Sequence, residues 1–120
     1  MANKFYFSGG VCKSKNRLDD KIAIITGSNT GIGYEAALDF AKRGAHVIMA
    51  CRDMKKAEKA SQTIINLTGN KNIEVEYLDL SDLETVRSFS KKFNTKYDKL
   101  DLLVNNAGKL VLYLRVIFLI

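Results

Sequence analysis

Cysteine, histidine and long apolar runs are all scarce in this chain, and each shortage removes a class of function. Two cysteines, Cys12 and Cys51, are too few and too poorly spaced for a metal cluster or a disulfide framework. They read as free thiols of a reducing, cytoplasmic compartment, with Cys51 a small buried hydrophobe. The apolar run from Leu110 to Ile120 is interrupted by Arg115, and a membrane-spanning helix needs about 20 residues. Phe5-Tyr6-Phe7 is too short for the apolar core of a secretory signal. Proline and tryptophan are absent altogether, while 47% of the 120 residues are hydrophobic and 27% charged. That is a globular composition and one domain at most, with a marginal core.

Acidic residues are also in deficit, 13 against 19 Lys and Arg, for a formal net charge of +6. The bases are dispersed except for Lys4, Lys13, Lys15, Arg17 and Lys21 near the start. A basic arm is compatible with nucleic acid or anionic lipid. No aromatic interleaving or groove-reading helix accompanies it, so it reads as a solvated lead-in and not as a nucleic-acid site.

What the chain does have is Thr26 to Gly33, T-G-S-N-T-G-I-G, between an apolar run (Ile22-Ala23-Ile24-Ile25) and an amphipathic one (Tyr34 to Arg43). That context predicts strand, glycine turn, helix. Glycines let a ligand approach the main chain. The first turn of a helix offers unpaired N–H groups and the positive end of its dipole to a phosphate. Thr30 is placed as N-cap.

Residues 1–20 read as a flexible, basic lead-in. The first strand is expected near Lys21 to Thr26, and the first helix from about Gly31 to Lys42. That helix should bury Ile32, Ala36, Phe40 and Ala41 and close at Gly44. A second strand follows over Ala45 to Ala50. Asp53 caps a second helix running to about Leu67 and ended by Gly69, with Ala57, Ala60, Ile64, Ile65 and Leu67 as its apolar side. The third strand is Ile73 to Leu78, where Glu74 and Glu76 alternate with Val75 and Tyr77 as in an edge strand with one wet face. Ser81 and Glu84 form a capping box for a third helix, Asp82 to about Tyr97, buried through Leu83, Val86, Phe89 and Phe93. The fourth strand is Leu100 to Asn105.

Strand-helix alternation with short connections predicts an α/β fold, the N-terminal half of a doubly wound parallel sheet. Right-handed crossovers give the order 3-2-1-4, with two helices on one face and the third on the other. Ligand should bind beyond the carboxyl ends of strands 1 and 4, where the winding reverses. The glycine turn ends strand 1, so motif and topology agree. His46 starts strand 2 on the opposite rim and is no catalytic candidate.

In dinucleotide folds the residue that reads the adenine ribose follows the glycine turn by about 20 positions, at the end of strand 2. Here stand Arg52 and Asp53. Arg52 can fork onto a 2′-phosphate, which favours NADP(H). Asp53 could accept from a free 2′-OH, which leaves NAD(H) as the lesser reading. Ser28-Asn29-Thr30 supplies no second base.

T-G-x-x-x-G-I-G resembles the first motif of the short-chain dehydrogenase/reductase family, and Asn105-Asn106-Ala107-Gly108 resembles its second. Gly-Gly-Val-Cys-Lys-Ser-Lys, Ala-Cys-Arg-Asp and Leu-Asp-Leu-Ser-Asp look most like its retinol dehydrogenase branch. The resemblance covers about residues 9 to 108. It implies a Rossmann fold and NADP(H)-dependent interconversion of retinol, retinal or related lipid alcohols and aldehydes. It implies cofactor contacts from Gly27, Ser28, Asn29, Thr30, Gly31, Ile32 and Gly33, from Arg52, from Asp79 and Leu80 at the adenine, and from Asn106, Ala107 and Gly108. For a full-length parent it implies helix-mediated self-association and, where an anchor precedes this region, the cytosolic face of the endoplasmic reticulum.

Family members run to about twice this length and carry a serine and a Tyr-x-x-x-Lys pair beyond strand 5, the tyrosine as general acid/base. Four residues after Tyr6, Tyr34, Tyr77, Tyr97 and Tyr113 stand Gly10, Leu38, Ser81, Asp101 and Ile117. The chain therefore reads as the cofactor half, 21–108, with no catalytic residues, followed by an aberrant hydrophobic tail, 109–120, that carries an aggregation risk. A non-catalytic nucleotide-binding or interfering module is the alternative.

Overall fold

A computed structural model describes residues 16–106. Four strands, β1 (Ile22–Thr26), β2 (His46–Cys51), β3 (Ile73–Tyr77) and β4 (Leu102–Val104), alternate with three helices, α1 (Gly31–Lys42), α2 (Met54–Thr68) and α3 (Leu83–Lys96). The strands form one parallel sheet in the order β3-β2-β1-β4, as alternation and crossover handedness predict. Ile24 of the central strand sits between Ile48 and Leu103.

Strand side chains alternate between two apolar layers. Ile25, Val47, Met49, Cys51 and Ile73 pack against Ala37 and Ala41 of α1 and Ala57, Ala60 and Ile64 of α2. Ile24, Ile48 and Ala50 pack against Val86, Phe89 and Phe93 of α3. These layers carry the fold, since burying one isoleucine contributes roughly 2 kcal/mol. An exposed ion pair contributes about 1 kcal/mol at most. Among the described residues no helix is long and apolar enough to cross a membrane.

The helices depart from expectation at their ends. Ile32, Leu67 and Leu83 fit the apolar stripes by spacing, yet they are 46%, 64% and 39% exposed. Each lies in a terminal turn of its helix. The capping box does not form. Asp82 is the N-cap of α3 and accepts from the Glu84 N–H at 3.0 Å. Ser81 instead donates its N–H and hydroxyl to Asp79 Oδ1 at 3.0 and 2.6 Å. A carboxylate in the preceding turn out-competes the helix for that serine, because hydrogen bonds to a charged acceptor are the stronger ones. Asp53 caps α2 as expected, accepting from the Lys56 N–H at 3.1 Å.

Ahead of β1, Arg17 donates to the Lys42 carbonyl at 3.0 Å, and the Leu18 N–H donates to the Arg43 carbonyl at 2.7 Å. A guanidinium at the carbonyl end of α1 satisfies an orphan acceptor and suits the helix dipole.

β3 is an edge strand, but its glutamate face is not wet. Glu74 and Glu76 lie on the α3 side and accept from Lys96 and Lys92 at 2.7 and 2.8 Å. Four residues of helix rise about as far as two residues of strand, so the two ladders stay in step. Glu74 also binds Tyr97 and His46, at the rim opposite the carboxyl ends of the strands. Burial pushes the Glu74 carboxyl up, but hydrogen bonds from Lys96, Tyr97 and His46 together hold it below the usual glutamate value. A folded-state pKa below the unfolded one gives stability that is present above the ordinary value of 4.5 and lost as pH falls through the folded value. Glu74→Gln should therefore lower stability by about 1 kcal/mol near pH 7. The gap should close toward pH 3, as read from urea-unfolding midpoints across that range. A gap that stays constant with pH would refute the ionic account.

Candidate functional site

The turn after β1 is built from glycines that do different work. Gly27 and Gly31 have φ of 60° and 61°, left-handed values that cost a residue with Cβ about 1–2 kcal/mol. Gly33 is needed for space. A Cβ there would lie 2.5 Å from the Gly27 carbonyl oxygen, 2.7 Å from Asn106 Nδ2 and 3.0 Å from Ser28 Cα. Its absence lets α1 start directly against the turn and against the end of β4. Thr30 occupies the N-cap position with extended backbone, but its side chain makes no capping hydrogen bond.

The ends of β1 and β4 are tied together. Thr26 is 1% exposed. Its hydroxyl accepts from the Asn106 N–H at 2.9 Å and donates to the Val104 carbonyl at 3.5 Å. Asn106 Nδ2 in turn donates to the Gly27 carbonyl at 3.0 Å. The second motif thus holds the first in place.

A cavity of about 450 Å³ opens at the carboxyl ends of β1, β2 and β3, lined by Thr26, Gly27, Asn29, Ala50, Arg52, Asp53, Lys56, Leu78, Asp79, Leu80 and Ser81. Gly27, Asn29, Arg52, Asp79 and Leu80 were all expected there. Ser28 is fully buried, its hydroxyl 3.5 Å from Cys51 Sγ, and so packs under the turn. Gly31, Ile32 and Gly33 form the start of α1 beside it. Ala107 and Gly108 lie outside the described residues.

Both acids of the cavity are engaged. Asp53 Oδ1 caps α2, and Asp79 Oδ1 holds Ser81, while the Asp79 N–H donates to the Thr85 hydroxyl at 3.0 Å. Lys56 was not anticipated from sequence. Its signal is its place in the first turn of α2, three residues after the capping Asp53. The cavity has a glycine turn at one strand end, a cationic wall at the next, and a mixed polar and apolar lip (Leu78 to Ser81) at the third. That series suits an extended ligand with a phosphate, a polar sugar and a flat ring. Among the described residues no group of three or more His, Cys, Asp or Glu is placed to hold a metal ion.

The family model described as short chain dehydrogenase matches residues 21–114. Retinol dehydrogenase 11 of Mus musculus is 50% identical over 101 residues, 84% of this chain and 32% of its own length. Retinol dehydrogenase 13 of Homo sapiens is 44% identical over 105 residues, 88% of this chain and 32% of its own. The chain thus spans about a third of the length of the curated relatives it matches. Among solved structures, the short chain dehydrogenase from Shigella flexneri superposes with a TM-score of 0.70 at 34% identity, covering 78% of this chain and 37% of that one. One from Escherichia coli CFT073, complexed with NADPH, gives 0.72 at 32% identity, covering 81% and 41%.

Proposed function

Since the chain belongs to the short-chain dehydrogenases, we propose that residues 21–108 are the cofactor-binding half of an NADP(H)-dependent oxidoreductase. Its substrates would be retinol, retinal or related lipid alcohols and aldehydes. The observation that carries the cofactor reading is the cavity that joins the glycine turn to Arg52 at the end of β2. The retinoid reading is supported by the identity to retinol dehydrogenases, and the cofactor reading also by the NADPH held in a structural relative.

The residues present fit a dinucleotide. The start of α1 would meet the diphosphate, with Gly27 and Asn29 on the cavity side. Arg52, on the cavity wall, would meet the adenosine ribose, and its fixed fork matches a phosphate better than a hydroxyl. Asp79 and Leu80, just beyond β3, would border the adenine. Asn106, bonded to the Gly27 carbonyl, would stand beside the cofactor together with Ala107 and Gly108, as the resemblance implies. When bound, the nicotinamide supplies or accepts a hydride. None of the five tyrosines stands four residues before a lysine. We therefore assign cofactor binding, and no general acid or base, to residues 21–108.

Titrating the 120-residue chain with NADPH and NADH by nicotinamide fluorescence tests the reading. NADPH should bind more tightly, and Arg52→Ala should weaken NADPH by about tenfold while leaving NADH within about twofold, the loss of one charge-assisted phosphate contact. A folded chain that binds neither dinucleotide would overturn the proposal.

A further inference from the structure

We propose that the free edge of β3 is a self-association surface, on which a second copy of this chain lays its own β3 antiparallel, joining the two sheets into one. None of the residues involved lines the dinucleotide cavity, so the inference stands apart from that reading.

The backbone carries the first part. Among the described residues β3 has one neighbour, β2. The Val47 N–H donates to the Asn72 carbonyl at 2.9 Å, and the Leu78 N–H to the Cys51 carbonyl at 3.0 Å. Continued through the parallel register, that pattern turns the peptide groups of Glu74 and Glu76 toward β2. The N–H and C=O groups of Ile73, Val75 and Tyr77 then face outward. Such an edge invites pairing unless a proline, a bulge or an uncompensated charge blunts it. β3 has no proline, and its register with β2 runs unbroken from Ile73 to Tyr77.

The side chains say which partner fits. With a twofold axis at Val75, Ile73 meets Tyr77 of the second copy, Val75 meets its equivalent, and Glu74 meets Glu76. The outward-facing residues thus pair with one another, and every outward N–H finds a carbonyl. Tyr77, 46% exposed, gains an aliphatic cross-strand neighbour. Glutamate opposite glutamate would oppose the joint, but α3 has already set Lys92 on Glu76 and Lys96 on Glu74, at 2.8 and 2.7 Å. Two carboxylates from each copy therefore meet two ammonium groups from each. Lys92 is 64% exposed and lines a cleft of about 300 Å³ with Glu76 and Tyr77, on the side from which the second copy's Glu74 would arrive. The strand is complementary to itself in pairing, packing and charge, which is why a second copy is the occupant.

Sedimentation equilibrium of the full chain from about 5 to 500 µM tests the joint, over the range of a small, transient interface. The apparent mass should rise from one chain toward two. Amide hydrogen exchange at Ile73, Val75 and Tyr77 should slow over the same range. Val75→Pro removes an outward donor that no bond within the sheet uses, and Tyr77→Lys sets an uncompensated charge opposite Ile73. Each should weaken association at least about tenfold, the loss of one well-placed pair. Tyr77→Lys, at an exposed position, should keep the wild-type urea midpoint, which separates lost association from lost folding. A chain that stays single at 500 µM would overturn the proposal. So would protection of the three amides that does not depend on concentration, or association that leaves them exchanging as in dilute solution, an aggregate held through another surface included.

Discussion

Gly33→Ala should lower the stability of the chain by about 3 kcal/mol, at the upper end for overpacking, and remove measurable dinucleotide binding. The added methyl would lie 2.5 Å from the Gly27 carbonyl oxygen and 2.7 Å from Asn106 Nδ2. Side-chain atoms can swing away, but the Gly27 carbonyl belongs to the turn itself. Relief therefore requires α1 to back off from the end of β1, or the turn to change shape. Either movement shifts the first-turn N–H groups that the diphosphate would meet. Gly31→Ala is the control. A Cβ there meets nothing within 4 Å, so its cost is only the left-handed backbone, about 1–2 kcal/mol. Urea unfolding and NADPH titration of both variants check the ordering. If Gly31→Ala proves the more damaging, the close approach of α1 to the turn is not what Gly33 secures.

The contrast between those glycines marks how far the sequence could be read. T-G-S-N-T-G-I-G is a local signal, because left-handed turns and helix starts are set by neighbours in the chain. Strand order was legible for a similar reason: once strands and helices alternate, crossover handedness leaves little choice. Periodicity was less informative at helix ends. Ile32, Leu67 and Leu83 keep the spacing of the buried stripes, but spacing carries no information about where along a helix the burial ends. Ser81 and Glu84 match a capping box, yet Asp79 and Asp82 both lie within reach, and carboxylates win that competition. The glutamates of β3 looked solvent-facing because their partners, Lys92 and Lys96, arrive from 16 and 22 residues away. Lys56 was missed although its signal is local. Arg52 is conspicuous beside the strand end, while Lys56 reaches the cavity only because Asp53 starts α2 where it does.

The tie between β1 and β4 should prove almost as costly to break as the Gly33 contact. Thr26→Val keeps the volume of the side chain and removes its hydroxyl, and the expected loss is about 2 kcal/mol. The threonine hydroxyl has one hydrogen to give and lone pairs to receive, and both capacities are used, by Val104 of β4 and by Asn106 just beyond it. Without it the Asn106 N–H faces a methyl group in a pocket where Thr26 is almost wholly shielded from water. Among the described residues, the hydrogen bond then left to Asn106 would be that of its side chain to the Gly27 carbonyl. The consequence for the site is that Asn106 loosens relative to the glycine turn, so NADPH affinity should fall by several-fold together with stability. Coupling makes this distinguishable from general weakening. Asn106→Ala removes the remaining bond, and because both bonds fix one residue, the double variant should lose less than the sum of the singles. A double-mutant cycle by urea unfolding, with NADPH titration on the same four proteins, reads the two quantities independently. Strict additivity in both would mean that the two motifs fold side by side without holding each other in place.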